Sequence, residues 1–268
     1  MGNDISDINN DGLFDIITLD MKPYNEEIRK KSMGEAPFNI YDFRMEYGYN
    51  YQYARNMLQL NLGKLFDKGV QFSEIGQQAG MDATDWSWSP LVADFDNDGW
   101  KDIFITNGVL HRLNDLDYIN FAYDENVKHL TDLELVNKMP DGAVPNFAYK
   151  NNRKLGFEDV SNEWGINFEG YSTGAAYADL DNDGDLDIVV NNYNSEANIL
   201  KNNSRESNNN NFLRVKIKGT DKNPMGIGAK VVVKTNNFEQ TQEVFTARGW
   251  LSSVEPLLHF GLEKNNNI

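Results

Sequence analysis

The sequence contains no cysteine among its 268 residues. This absence excludes a disulfide scaffold, a thiolate zinc site and a cysteine nucleophile. Positive charge is also scarce, because 25 Lys and Arg residues stand against 41 Asp and Glu residues and give a net charge of -16. A protein that binds nucleic acid normally carries a basic patch or stripe to pair with phosphates. We therefore expect no nucleic-acid partner.

Long apolar runs are missing as well. No stretch approaches the roughly 18 consecutive apolar residues of a membrane-spanning helix, so no transmembrane segment is expected. The first residues, Met1 to Asp4, lack the basic and apolar regions of a signal peptide. Apolar residues nevertheless make up 40% of the chain and aromatic residues 12%, which is enough to form a core. We expect either a cytoplasmic protein or an interior piece of a longer exported chain.

A nine-residue pattern rich in Asp and Asn occurs three times. Its copies begin 87 and 85 residues apart, and each runs directly into an apolar, β-prone stretch. The copies are Asp7-Ile-Asn-Asn-Asp-Gly-Leu-Phe-Asp15, Asp94-Phe-Asp-Asn-Asp-Gly-Trp-Lys-Asp102 and Asp179-Leu-Asp-Asn-Asp-Gly-Asp-Leu-Asp187. Each loop is therefore predicted to feed a strand.

Other parts of the repeat keep a regular spacing. Phe72 and Phe157 each lie 22 residues before the aspartate that opens the next copy, and Gly80 and Gly165 each lie 14 residues before it. Pairs of asparagines five residues apart form a third landmark: Asn56 and Asn61, Asn146 and Asn151, Asn198 and Asn203. About four short strands per repeat predict an all-β fold of β-propeller blades. Three blades cannot close a ring that needs at least about four, so we expect a fragment or a chain whose missing blades come from a larger assembly.

Two stretches interrupt the repeats, and the composition changes after them. Thr131 and Glu134 form a capping-box pattern, which predicts helix in the second interruption. Residues 212–264 carry eight basic and five acidic side chains, so the acidity of the chain belongs to the repeats. The predicted organisation is blades over 1–203 with insertions at about 24–50 and 109–144, a polar linker over 204–211, and a truncated β module over 212–268.

The aspartate-rich loops are predicted calcium sites. Calcium takes six to eight oxygen ligands, and in this spacing positions 1, 3, 5 and 9 offer side-chain oxygens while position 7 offers a backbone carbonyl. The predicted ligands are Asp7, Asn9, Asp11, Leu13 and Asp15 in the first loop, Asp94, Asp96, Asp98, Trp100 and Asp102 in the second, and Asp179, Asp181, Asp183, Asp185 and Asp187 in the third. About three calcium ions are expected, each with a structural role. The alternative for any one loop is a metal-free Asx turn.

An EF-hand begins with the same spacing but requires Glu at position 12, followed by a helix. Position 12 is Thr18, Ile105 and Val190, and each lies in a β-prone run. EF-hands are therefore excluded.

The loops, the strands after them and the Phe and Gly landmarks resemble FG-GAP/VCBS repeats, the calcium-binding blades of integrin-alpha-type β-propellers. Three segments of the tail, Gly226-Ile-Gly-Ala-Lys-Val231, Gly249-Trp-Leu-Ser-Ser253 and Pro256-Leu-Leu-His-Phe-Gly-Leu262, resemble the ASPIC/UnbV module. That combination is similar to cartilage-acidic-protein-like and large Bacteroidetes surface proteins. The resemblance implies an extracellular or bacterial outer-membrane location and a calcium-bound propeller that binds or adheres.

We expect a cell-surface binding, adhesion or scaffold module for a protein or a glycan, not an enzyme. The alternatives are a polysaccharide-active enzyme and a subunit of an outer-membrane complex. Ser172 lies in a G-x-S-x-G string, but a nucleophile elbow needs a strand-turn-helix context, whereas this string precedes a predicted strand. No catalytic residue is therefore predicted. The five tryptophans could form a sugar-binding platform, although blade core is the more common place for them.

Overall fold

The computed structural model describes residues 1–32 and 37–267. The chain is mostly β-strand with few helices. In chain order the strands are β1 (Asn3–Ser6), β2 (Asp15–Thr18), β3 (Met21–Lys22), β4 (Met57–Lys64), β5 (Val70–Glu74), β6 (Asp85–Ala93), β7 (Asp102–Asn107), β8 (Val109–His111), β9 (Asp141–Gly142), β10 (Val144–Pro145), β11 (Phe147–Asn151), β12 (Phe157–Asp159), β13 (Glu169–Gly170), β14 (Ser172–Ala178), β15 (Asp187–Asn192), β16 (Asn198–Leu200), β17 (Asn211–Val215), β18 (Lys230–Lys234), β19 (Glu239–Glu243), β20 (Ala247–Arg248), β21 (Ser252–Ser253) and β22 (Leu258–Glu263). The α-helices are α1 (Glu26–Lys31), α2 (Phe38–Glu46), α3 (Leu116–Ala122), α4 (Asp132–Val136) and α5 (Ser204–Asn208), and 3-10 turns span Phe66–Lys68 and Glu125–Val127.

Three sheets correspond to the three copies of the repeat. The first has the strand order β1-β2-β4-β5, the second β12-β11-β7-β6-β3, and the third β14-β15-β16. Neighbouring strands in all three are antiparallel. In each sheet an aspartate-rich loop joins two of these strands: β1 to β2, β6 to β7, and β14 to β15. The all-β prediction, with about three blade-like sheets and a small C-terminal β module, is confirmed.

The inner strands of the three sheets lie side by side. β6 contacts β1 on one side and β14 on the other, and an apolar core fills each of the two spaces between neighbouring sheets. The middle sheet is covered on both faces, and its strand β7 is buried at every position. A strand that is covered on both faces has no polar side. This explains why Ile103-Phe-Ile105 is a continuous apolar run and does not alternate.

Side-chain amides also join neighbouring sheets. Asn151 Nδ2 donates to the carbonyl of Ile8 in the first loop at 2.9 Å, and Asn202 Nδ2 donates to that of Phe95 in the second loop at 2.6 Å. Asn61 occupies the same place in the first repeat, where its Nδ2 donates to Phe14 at 3.0 Å. We call Asn61, Asn151 and Asn202 the landmark asparagines.

The predicted asparagine spacing is wrong by one residue in the third repeat. Asn203 was expected to match Asn61 and Asn151, but Asn202 makes the equivalent hydrogen bonds. The segment that starts at Asn198 is one residue shorter than its counterparts. A pattern of five-residue spacing cannot detect such a shortening when two asparagines are adjacent.

The predicted insertions hold most of the helices. The first, at about 24–50, contains α1 and α2 and lies within the described residues except for 33–36. The second contains α3 and α4, and the capping box of Thr131 and Glu134 is confirmed at the start of α4. No residue of these four helices is buried. Within the described ranges, none of the helices has the length and apolar composition needed to cross a bilayer.

The chain after the third sheet forms a separate small β unit, which we call the C-terminal module (residues 211–263). It pairs β17 with β22, β18 with β19, and β20 with β21, and it has its own apolar core. The segment at 204–211, predicted as a linker, contains helix α5. A charged pair ties the module to the first sheet, because Arg248 Nη1 lies 2.7 Å from Asp4 Oδ1.

Candidate metal centres

The three aspartate-rich loops share one backbone conformation at two positions. The fourth and sixth residues of each loop have positive φ, a conformation that asparagine tolerates and glycine adopts freely. These residues are Asn10, Asn97 and Asn182, with φ of 58°, 59° and 60°, and Gly12, Gly99 and Gly184, with φ of 82°, 88° and 97°. The glycine at the sixth position is expected from the sequence, because it permits the sharp turn of such a loop. Sequence reasoning misses the asparagine, although its recurrence at the fourth position is a visible signal.

The ninth aspartate closes each loop with both of its carboxylate oxygens. One oxygen accepts from the N–H of the second loop residue, and the other accepts from the N–H of the landmark asparagine. The pairs are Asp15 with Ile8 (3.1 Å) and Asn61 (2.8 Å), Asp102 with Phe95 (3.2 Å) and Asn151 (3.0 Å), and Asp187 with Leu180 (2.9 Å) and Asn202 (2.8 Å). A carboxylate has about four lone-pair sites, so the same oxygens can still bind a cation.

The aspartate at the first loop position accepts backbone hydrogen bonds in the first and second loops but forms an ion pair in the third. Asp7 accepts from the N–H groups of the fifth and sixth loop residues at 3.1 and 2.8 Å, and Asp94 does so at 3.0 and 2.7 Å. Asp179 is instead paired with Arg214 of the C-terminal module at 2.9 Å. Its other oxygen is buried without a hydrogen-bond partner.

Two of the three loops bring carboxylates close enough to share a cation. One ligand atom from each of Asp94, Asp96 and Asp102 lies within 4.8 Å of the others, and the same holds for Asp179, Asp181 and Asp183. Asp98 and Asp187, although predicted as ligands, lie outside these groups.

The first loop forms no such group of three acidic residues in the part of the chain that the structure describes. Asn9 stands at its third position, and the Asn9 amide donates to Asp11 at 2.9 Å. The carbonyls of Leu13, Trp100 and Asp185 at the seventh position remain predicted ligands.

Buried oxygens without partners fit a bound cation. Asp179 Oδ1, Asp183 Oδ2 and Asp185 Oδ1 are all buried with no hydrogen bond, and such groups are costly unless something compensates them. Burial is the largest cause that raises the pKa of Asp185 to about 6 and that of Asp94 to about 7. A hard cation would remove this cost, since carboxylates are the ligands that calcium prefers.

Two lysines that precede landmark asparagines contact the loops, and sequence reasoning misses both. Each ammonium group contacts the carboxylate at the third loop position and lies near the one at the fifth. Lys150 contacts Asp96 and lies 3.7 Å from Asp98 Oδ2, while Lys201 lies 2.6 Å from Asp181 Oδ2 and 3.7 Å from Asp183 Oδ2. The first repeat has Leu60 at this place. The available signal is the Lys-Asn pair in two of the three repeats.

The C-terminal module contacts all three loops. Lys230 Nζ donates to the carbonyl of Gly12 at 3.2 Å, and Arg214 pairs with Asp179 as described above. At the second loop, His259 Nε2 lies 2.7 Å from Asn97 Oδ1. The amide of Asn97 already donates to the third loop at 2.9 Å, so its oxygen accepts and His259 Nε2 carries the hydrogen. Burial lowers the pKa of His259 to about 3, which keeps the imidazole neutral.

Ser172 and the tryptophans make contacts inside the fold and do not form a separate site. Ser172 is buried at the start of β14, where its hydroxyl donates to Asn192 at 2.8 Å and accepts from Asn146 at 3.0 Å. All five tryptophans are half-buried, and Trp88 packs against Trp250 with ring centroids 5.3 Å apart. They do not form one exposed platform.

Replacing Gly184 with alanine is expected to destabilise the protein by about 2–4 kcal/mol. A left-handed backbone costs a non-glycine residue at least about 1 kcal/mol, and overpacking adds about 1–3 kcal/mol, because the new Cβ would lie 2.0 Å from the Phe212 ring. Gly165→Ala is the control, since Gly165 also has positive φ but nothing lies within 4 Å of its Cβ position. Urea unfolding measures both. Equal losses of unfolding free energy in the two variants would show that the contact with Phe212 does not contribute to the destabilisation.

One comparison with known proteins concerns the C-terminal module. Residues 219–268 match the family model described as ASPIC and UnbV. The module resembles ASPIC and UnbV proteins. This match covers about a fifth of the chain and confirms the resemblance stated for the tail, while the FG-GAP/VCBS resemblance of the repeats stays a prediction. Strand β17 lies before the ASPIC and UnbV match but pairs with β22 inside it, so β17 belongs to the same structural unit.

No curated protein matches the chain.

Proposed function

We propose that the protein is a calcium-binding β-propeller module that acts at the cell surface in binding, adhesion or scaffolding, with a protein or a glycan as partner. The observation that carries this proposal is the loop geometry. Three loops repeat the same two left-handed positions, and the second and third loops each gather three carboxylates. In the third loop, two oxygens of these predicted ligands, Asp179 Oδ1 and Asp183 Oδ2, are buried without partners. This arrangement suits a hard cation with oxygen ligands.

The calcium ions would have a structural role. Three ions would change the net charge from -16 to about -10, and each would fix the geometry between two strands of a sheet. For a dissociation constant of about 0.1 mM and calcium at about 2 mM, each site would add about 1.8 kcal/mol of stability. Three such contributions are large against a total of about 5–15 kcal/mol.

The two insertions support a role in binding. Phe38, Tyr47 and Tyr49 in the first insertion are 78%, 69% and 60% exposed, and Tyr123 in the second is 84% exposed. Clusters of exposed aromatic residues are typical of interaction sites. The carboxylates that gather in the described residues belong to the loops or lie next to the third loop, which leaves binding as the role that the exposed surface supports best.

Removing calcium is expected to lower the melting temperature clearly. The test is calorimetric titration of the chelator-stripped 268-residue chain with calcium, together with melting curves in calcium and in chelator. Magnesium at the same concentration is the control, because it demands near-ideal octahedral geometry and gives up water reluctantly. About three sites and a large calcium-specific rise in melting temperature would support the proposal. A chain that binds no calcium would overturn it, and the free carboxylates would then favour the enzyme alternative.

A further inference from the structure

The third loop borders a second group of carboxylates that the repeat pattern does not contain. One ligand atom from each of Asp183, Asp185 and Glu206 lies within 4.8 Å of the others. Asp183 also belongs to the group formed with Asp179 and Asp181. We propose that Asp183, Asp185 and Glu206 bind a second divalent cation next to the calcium of the third loop. This inference rests on the proposed calcium function through the shared residue Asp183.

The side chain of Asp185 provides the independent support. It is fully buried, and its Oδ2 accepts from the backbone N–H of Arg205 at 2.9 Å and from the hydroxyl of Ser204 at 3.3 Å. Its Oδ1 is buried and has no partner. One half of this carboxylate is therefore held in place by helix α5, while the other half lacks the compensation that a buried charged oxygen requires.

The excess of negative charge around this group also favours a bound cation. The ammonium of Lys201 lies 2.6 Å from Asp181 Oδ2 and 3.7 Å from Asp183 Oδ2, so its single charge is shared with the loop carboxylates. Among the ion pairs of residues 1–32 and 37–267, none within 4.0 Å involves Asp185 or Glu206. Three carboxylates that share this one ammonium with Asp181 still repel one another. A divalent cation is the simplest species that would stabilise them.

The ligand is a hard divalent cation, with calcium as the natural choice. All three ligands are carboxylates, and water would complete the coordination, so binding would be weaker than in a loop that supplies most of its own oxygens. The site can exist only in the third repeat. The seventh loop position is Leu13 in the first repeat and Trp100 in the second, and neither side chain can bind a metal.

Glu206→Gln in the full chain tests the proposal. Glu206 is exposed on helix α5, so the substitution should leave the fold intact. We expect equilibrium dialysis with calcium to show one fewer bound ion in the variant than in the wild type, with at least a tenfold loss of affinity at that site. Asp185→Asn should give the same loss, because it removes one carboxylate of the second site. The loop site should be unaffected, since its predicted ligand from Asp185 is the backbone carbonyl. Glu158→Gln, at another exposed glutamate, is the control and should bind as the wild type does.

The outcomes separate this proposal from the calcium loops. Equal numbers of bound ions in the wild type and in Glu206→Gln would overturn the second site while leaving the loops intact. A wild type that binds a single calcium, lost in Glu206→Gln, would support the second site and contradict the proposed function of the loops. A wild type that binds no calcium would overturn both.

Discussion

Replacing Arg248 with methionine is expected to lower the free energy of unfolding by about 3–5 kcal/mol, the usual cost of removing one partner of a buried ion pair. The Asp4 side chain is fully buried and lies 2.7 Å from Arg248. Burial raises the pKa of Asp4, and the Arg248 charge is the main cause that opposes this rise. Without Arg248 the carboxylate would keep only its hydrogen bonds to the backbone, such as the one from Val92 at 2.9 Å. Urea unfolding followed by tryptophan fluorescence measures the loss.

The double variant Asp4→Asn/Arg248→Met is the matched control. It removes both charges, so it should be less destabilised than Arg248→Met alone, since an uncompensated buried charge is what makes the single change severe. Together with Asp4→Asn alone, these variants form a double-mutant cycle, whose interaction free energy isolates the coupling between Asp4 and Arg248. If the double variant were as unstable as the sum of both single variants, packing of the arginine and not its charge would hold the module in place.

Replacing Lys150 with methionine is expected to increase the calcium affinity of the second loop about tenfold, or about 1.4 kcal/mol. The Lys150 ammonium contacts Asp96 and lies 3.7 Å from Asp98 Oδ2, so it neutralises carboxylates that a calcium ion would otherwise bind. Like charges at such distances repel even when partly screened, and the Lys150 side chain is 38% exposed. The same substitution should destabilise the calcium-free protein, because the carboxylates then lose their counter-charge.

Calorimetric titration and calcium-free melting curves measure the two effects of Lys150→Met. Lys154→Met is the control, because Lys154 is an exposed lysine four residues away, and among residues 1–32 and 37–267 the basic side chains that pair with the carboxylates of this loop are Lys150 and Arg153. Tighter calcium binding together with a lower melting temperature in chelator would show that the lysine and the metal compete. Unchanged or weaker binding would mean that the ammonium supports the metal-bound loop instead of competing with it.

The parts of this structure that depend on neighbouring residues in the chain are predictable from sequence. The β-prone composition after each loop predicts the strand there. The left-handed glycine of each loop and the capping box of Thr131 arise from contacts within about nine residues. Their physical causes are local backbone conformation and hydrogen bonds between near neighbours. The continuous apolar run at Ile103 to Ile105 also indicates a strand, although not that both of its faces are covered.

The parts that depend on distant residues are not predictable in this way. Arg248 and Asp4 are separated by 244 positions, and His259 and Asn97 by 162. No pattern in the composition links them. Helix α5 shows the same limit on a smaller scale, because its polar sequence predicts a linker. Its first turn is held by Asp185, which accepts the N–H of Arg205, and that contact brings Glu206 to the third loop.

If the loops bind cations as proposed, the contacts of Lys230, His259 and Arg214 with the three loops would couple cation binding to the docking of the C-terminal module. Arg214 is directly bound to Asp179, a predicted ligand, so a cation in the third loop acts on a residue that also holds the module. Thermodynamic linkage requires such effects to be mutual. Whatever factor the docked module contributes to the calcium affinity of the loops, calcium contributes the same factor to the docking equilibrium. With calcium bound as proposed, a change in calcium concentration would then shift the equilibrium between the docked and the undocked module.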